Sequence, residues 1–222
     1  RTAVIEDVRA VVQSHAGSAT ERVSLLAGCA HLCARHGIDF STLLQEGNFF
    51  HEHTVLYWAI VNHSEAPSAP FEFIASVLAH SAPLTPETIK EARRACIAMG
   101  NQDIFQFLRL CPEFGALPAD DRFLLGVLVP PEEIEIETME GPGRPFSVKF
   151  KIPLFRKRMV LSRQIKLEFV ARERLWQLSF FTQANPTFDL SHRERFRDGE
   201  WYVGLNLGEN SPRTNVDVGL FI

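Results

Sequence analysis

Residues 165–180, IKLEFVARERLWQLSF, decide the reading of the second half of the chain. Ile165, Leu167 and Phe169 alternate with Lys166 and Glu168, and Trp176, Leu178 and Phe180 repeat the alternation beyond a turn flanked by Arg172 and Arg174. A period of two sends apolar side chains to one face of a strand and the others to the opposite face. The same period runs through Ile134 and Ile136 among glutamates, and through Val148, Phe150 and Ile152 among lysines. It returns in Trp201, Val203, Leu205 and Leu207, and in Val216, Val218, Leu220 and Ile222. With residues 123–129 this makes about seven strands in roughly 100 residues, bounded by Pro, Gly and Asn. The expectation is an antiparallel β-sandwich with one wet face per sheet.

Upstream the period lengthens to three and four. Ile5, Val8, Val11 and Val12 form one stripe, and Val23, Leu26, Ala27, Ala30 and Ala34 another; both spacings are helical. Thr85-Pro86-Glu87 is a helix start, with Thr85 as cap and Pro86 in the first helical position, and Gly100-Asn101 is the matching stop. Gly115, Pro118 and Asp120-Asp121 punctuate the change of period. The fold class expected is therefore α+β, with a helical domain at 1–119 followed by the β-sandwich at 120–222.

With 222 residues, 45 % hydrophobic and 23 % charged, the composition excludes disorder, collagen and coiled coil. The chain is long enough to bury a core without staples. Phe occurs 18 times against 2 Tyr, an excess that favours burial, since Phe brings no hydroxyl needing a partner. The net charge of −4 hides a division: 9 basic and 14 acidic residues through Arg122, then 14 and 13. Within the second half, Glu132, Glu133, Glu135, Glu137 and Glu140 cluster, and from Gly141 onward basic residues outnumber acidic ones. Cys29, Cys33, Cys96 and Cys111 have poor spacing for a secreted scaffold, no run of about 18 apolar residues suggests a membrane span, and no apolar leader opens the chain. A reduced, cytoplasmic or nuclear protein is expected. The start at Arg1 without Met reads as a region of a longer protein cut to domain limits.

An offset of about 33 residues, the length of a repeated helix pair, joins Ile38, Phe71 and Ile104; Leu44, Val77 and Leu110; and Ala59 and Ala92. Thr54, Leu56 and Ala59 fit a T-P-L-H-x-A stretch, with Val55 in place of Pro and Tyr57 in place of His. Gly100, Asn101, Asp103, Ile104, Phe107 and Leu108 fit the second-helix pattern. On these residues, 24–110 resembles ankyrin repeats, which implies a scaffold that binds proteins on its concave face and turn tips and does no chemistry. Trp176-Gln177-Leu178 and residues 201–207 weakly resemble the strands of MATH/TRAF-type sandwiches.

The chemistry-bearing residues point away from catalysis. Cys29 and Cys33 lie on an apolar helix face with Leu26 and Ala30, away from His31, so buried thiols are expected rather than a zinc site. Ser24, Ser41 and Ser179 lack a G-x-S-x-G setting, and Gly141-Pro142-Gly143 is followed by no Lys-Ser/Thr pair. The glutamate run reads as a solvated edge or the face for a basic partner. No metal or cofactor is expected. Basic residues are the stronger signal: Arg156-Lys157-Arg158 between two strands, and Arg193, Arg195 and Arg197 before Trp201. Together they would form an anion-facing rim. His51, His53 and Tyr57 at the Thr54 turn are candidate contacts on the helical side, with Trp58 in the core. The function expected is a non-enzymatic protein–protein interaction or adaptor module. Its partner would be another protein or an acidic peptide segment; the alternative is a nucleic-acid or phosphate-binding protein using the basic loops.

Overall fold

Short polar side chains set the helix starts of the first half. Ser18 accepts from the Glu21 amide (3.2 Å) while Glu21 accepts from the Ser18 amide (3.0 Å), a reciprocal box that opens α2, Ala19–Arg35. Asp39 caps α3, Phe40–Gln45; Thr54 caps α4, Val55–Val61; Thr85 caps α6, Pro86–Met99; and Asn101 caps α7, Gln102–Leu110. Between them lie α5, Glu72–Ser81, and at the two ends α1, Thr2–Gln13, and α8, Pro112–Gly115. α6 starts at Thr85-Pro86, as the sequence predicts, and stops at Gly100, whose φ of 59° is left-handed.

This computed structural model describes residues 2–13, 18–47, 52–63, 71–115, 130–138, 145–182, 201–208, 211–214 and 219. The chain divides into two compact units, Arg1–Ala116 and Leu117–Ile222, and is mixed α+β. Among the described residues no helix is long and apolar enough to cross a membrane.

In the first unit α2 packs on α1 and α5, and α4 packs on α5 and α6. Val8, Val12, Leu26, Val55, Ile74, Val77, Ile104 and Leu108 are fully buried. The inward face of α2 carries Leu26 of the predicted stripe together with Cys29 and Cys33, buried as expected, and Arg22, whereas Ala27 and Ala34 of that stripe are exposed. Arg22 is held there by its aliphatic stem and by a guanidinium 4.7 Å over the Phe73 ring. Of the residues at the 33-residue offset, Leu44, Val77, Ala59 and Ala92 are buried, whereas Leu110, the last residue of α7, is exposed. A polar clasp joins α3 to the turn between α5 and α6. Gln45 Nε2 donates to the Ser81 (2.7 Å) and Pro83 (3.1 Å) carbonyls, and Gln45 Oε1 accepts from the Thr85 amide (2.7 Å) and the Thr88 hydroxyl (3.1 Å).

The second unit contains two antiparallel sheets among the described residues. β1, Glu133–Thr138, pairs with β2, Phe146–Lys151; β3, Gln164–Ala171, pairs with β4, Arg174–Thr182, which pairs with β5, Trp201–Leu207. These are five of the strands read from the alternation; residues 123–129 and, Gly219 aside, 216–222 lie outside the described residues. Ile165, Leu167, Phe169, Trp176, Leu178 and Phe180 form one core, against which Ile134, Ile136, Val148 and Phe150 pack. Phe150 meets Phe169 at 5.5 Å between ring centroids, and Phe146 meets Trp176 at 5.6 Å.

The expected wet face fails on β4, where Leu175, Ser179 and Phe181, on the side away from that core, are also buried. Gly208 and Ser211 account for part of this. The Gly208 amide donates to the Leu175 carbonyl (2.8 Å), and the Ser211 hydroxyl accepts from the Leu175 amide (2.8 Å). A Cβ at Gly208 would stand 2.6 Å from Leu175 Cδ2. β3 and β4 are joined by Arg172-Glu173 alone, with φ of 53° and 54°. Beside this turn the buried Trp176 Nε1 donates to the Ala171 carbonyl at 3.0 Å.

The residues between β2 and β3 were expected as a loop. They form a helix, α9, Phe155–Ser162, entered at Leu154 (φ 55°) and left at Arg163 (φ 55°). Its Phe155 and Met159 pack into the core of the sheets.

Candidate functional site

Two surfaces hold the described site residues. The first is built on Thr54, which caps α4 by accepting from the Tyr57 amide at 3.3 Å. The cap fixes His53 just before the helix and Tyr57 and Trp58 in its first turn. The His53 ring lies flat on Tyr57, with centroids 3.9 Å apart and planes at 9°, and Trp58 meets both rings edge-on, at 6.0 Å from His53 and 5.4 Å from Tyr57. Behind them, on α6, Glu91 is buried. Its Oε2 takes His53 Nδ1, and its Oε1 accepts from Arg94 Nη1 at 2.6 Å. A buried carboxylate needs such partners. Here they also lock the imidazole orientation and brace the start of α4 against α6. Trp58, expected in the core, is half-buried, as are His53 and Tyr57, so three aromatic rings reach solvent on a rigid support. His51 lies outside the described residues.

Glu91 and Arg94 escape sequence reading. They sit in KEARRA, residues 90–95, where dense charge on a helix reads as a solvated face; nothing local marks Glu91 as the buried member.

The second surface is α9. Arg156 and Lys157 are exposed, as expected of a rim. Arg158 is not: its side chain is 4 % exposed, and its Nη2 stands 2.7 Å from Oε1 of Glu132, itself 6 % exposed. The helical path explains the correction. Arg158 follows Phe155 by three residues and precedes Met159, so it shares their inward side. The same geometry turns Val160 and Leu161 outward, at 77 % and 39 % exposure, beside exposed Leu154 and Arg163. Arg193, Arg195 and Arg197 lie outside the described residues.

Three members of the glutamate run, Glu132, Glu133 and Glu137, pair with cations of the chain, and Glu140 lies outside the described residues. On the outer face of β1, Glu133 pairs with Lys151 (2.7 Å) and Glu137 with Lys149, both across the hairpin from β2. A hydrogen bond from Lys149, and then its charge, hold the Glu137 carboxyl below its ordinary range. Exposed Glu135, between the two pairs, adds one further carboxylate to this face.

All four cysteines are free; Cys29, Cys33 and Cys96 are buried and Cys111 is half-buried. Burial raises every thiol, that of Cys96 to about 12. Among the described residues no group of His, Cys, Asp and Glu could hold a metal ion. No protein-family model, curated protein or solved structure matches the chain; the ankyrin-like and MATH/TRAF-like resemblances rest on the residues quoted for them.

Proposed function

We propose that this chain is a non-enzymatic protein–protein interaction or adaptor module of an intracellular protein. It binds a partner through the surface of an ankyrin-like helical unit and through the basic rim of a β-sandwich unit. The observation that carries the reading is the His53–Tyr57–Trp58 platform. Three rings are locked by stacking and by the buried Glu91, yet remain partly open to water. Rigid Tyr and Trp side chains on helices give contact area at low entropic cost and dominate the binding energy of interfaces. The exposed Arg156 and Lys157 add the charge that favours an acidic partner.

Affinity capture from lysate with the full chain, with and without nuclease, tests this. A protein retained after nuclease treatment, with affinity lowered about tenfold or more by Tyr57→Ala, is the expected result. Retention that vanishes with nuclease and falls steeply with salt transfers the rim to nucleic acid and overturns the reading.

A further inference from the structure

We propose that the outward face of α9 is a docking site for an acidic segment of another protein, one that also carries aliphatic or aromatic anchors. This rests on the interaction reading and places a second, chemically distinct contact on the β unit.

α9 is apolar on both sides. Phe155 and Met159 face the core of the sheets, while Val160 and Leu161 face water. Two large aliphatic side chains left exposed side by side on an eight-residue helix, among exposed cations, are the unusual feature. Residues three and four apart on a helix are neighbours. Lys157, Val160 and Leu161 therefore share one patch, and Arg156 borders Val160. Arg163, where the helix ends, is exposed, and residues 154–163 contain no acid. Trp201, 43 % exposed, packs instead on the inward Phe155 at 5.4 Å and is not part of this patch.

The face thus has an aliphatic centre rimmed by cations, and that combination selects its occupant. A purely acidic chain would leave Val160 and Leu161 wet. A purely apolar one would strip water from Arg156 and Arg163 without giving them partners, which is costly. Acidic residues flanking one or two apolar anchors satisfy both. A lipid surface fits less well, because stable anchoring needs more buried hydrocarbon than two or three aliphatic side chains on an eight-residue helix supply.

The test is selection of a random dodecapeptide library on the full chain, with each hit measured by fluorescence anisotropy. Enriched peptides are expected to be net acidic with Leu, Ile, Phe or Trp anchors. Val160→Asp should weaken them about tenfold or more, and Arg156→Glu by a smaller factor. Raising the salt should weaken binding without abolishing it, since only the rim is screened. Both substituted side chains are exposed, and unchanged thermal unfolding confirms that the variants fold. Hits that are neutral or basic, or whose binding survives Val160→Asp, overturn the proposal. So does co-sedimentation with phosphatidylserine vesicles, or binding of a single-stranded oligonucleotide, that the same substitution abolishes. Peptides sensitive to Tyr57→Ala but indifferent to both α9 variants would sink this site and leave the interaction reading standing.

Discussion

Arg158 and Glu132 show how little a residue type says about its role without its place in the fold. Both belong to stretches of like charge in the sequence, and both are withdrawn from water into a pair at 2.7 Å. Burying two charges is costly, and their mutual attraction offsets that cost only while both are present. Arg158→Ala strands a buried carboxylate and is expected to destabilise the second unit by about 3–5 kcal/mol, read from urea unfolding. Joint replacement by Arg158→Met and Glu132→Leu should recover most of that loss. Equal instability in the single and double variants would show that the pair is not what the site depends on. The rim that remains is Arg156, Lys157 and Arg163, all exposed.

Elements follow their local signals where those signals are self-contained. Thr85-Pro86 and Gly100 state both ends of α6 within a few residues, and the alternation in β1–β5 survives because each strand presents an apolar face to one core. α9 was illegible for the converse reason. Phe155, Met159, Val160 and Leu161 spread around the helix, leaving no stripe to detect, and the basic triplet within it reads as a loop between two strands. Glu91 was illegible because its burial depends on α4, more than thirty positions away. α3 illustrates a fully local device. Asp39 accepts from the Ser41 amide (3.1 Å) and the Thr42 hydroxyl (2.6 Å). The Thr42 bond, the largest cause, lowers its carboxyl below the ordinary 3.8. A lowered folded value means the stabilisation is complete above the ordinary value and is lost as pH falls through the folded one. The stability difference between wild type and Asp39→Asn should therefore be flat from pH 7 to about 5 and change only below about 4. A change centred above pH 6 would contradict the assignment.

At the scale of the molecule there are two compact units, each with its own buried residues, and such units unfold separately unless a large interface couples them. Arg158→Ala supplies a probe. Native-state hydrogen exchange should accelerate by roughly a hundredfold to a few thousandfold in the β4 amides of 175–181, with the α6 amides unchanged. Uniform acceleration would mean that the two units open as one. Cys96, in α6 and raised to about 12 by burial, offers an independent reading, since its thiol becomes available to alkylation only when the first unit opens.

The turn at Arg172-Glu173 bears on how the sheet comes into being. Two consecutive left-handed residues with side chains resist the conformation that Asn-Gly would adopt freely. The β3–β4 ribbon therefore does not start itself from its bend. It is held in shape by Trp176 and by the burial of side chains on both faces of β4. In kinetic terms we expect the hairpin to be a late cooperative product and not a seed. Replacing Glu173 by Gly should then slow unfolding while leaving the refolding rate almost untouched, because a contact that forms after the transition state acts on the unfolding step; a faster refolding rate would show that the turn is already formed there.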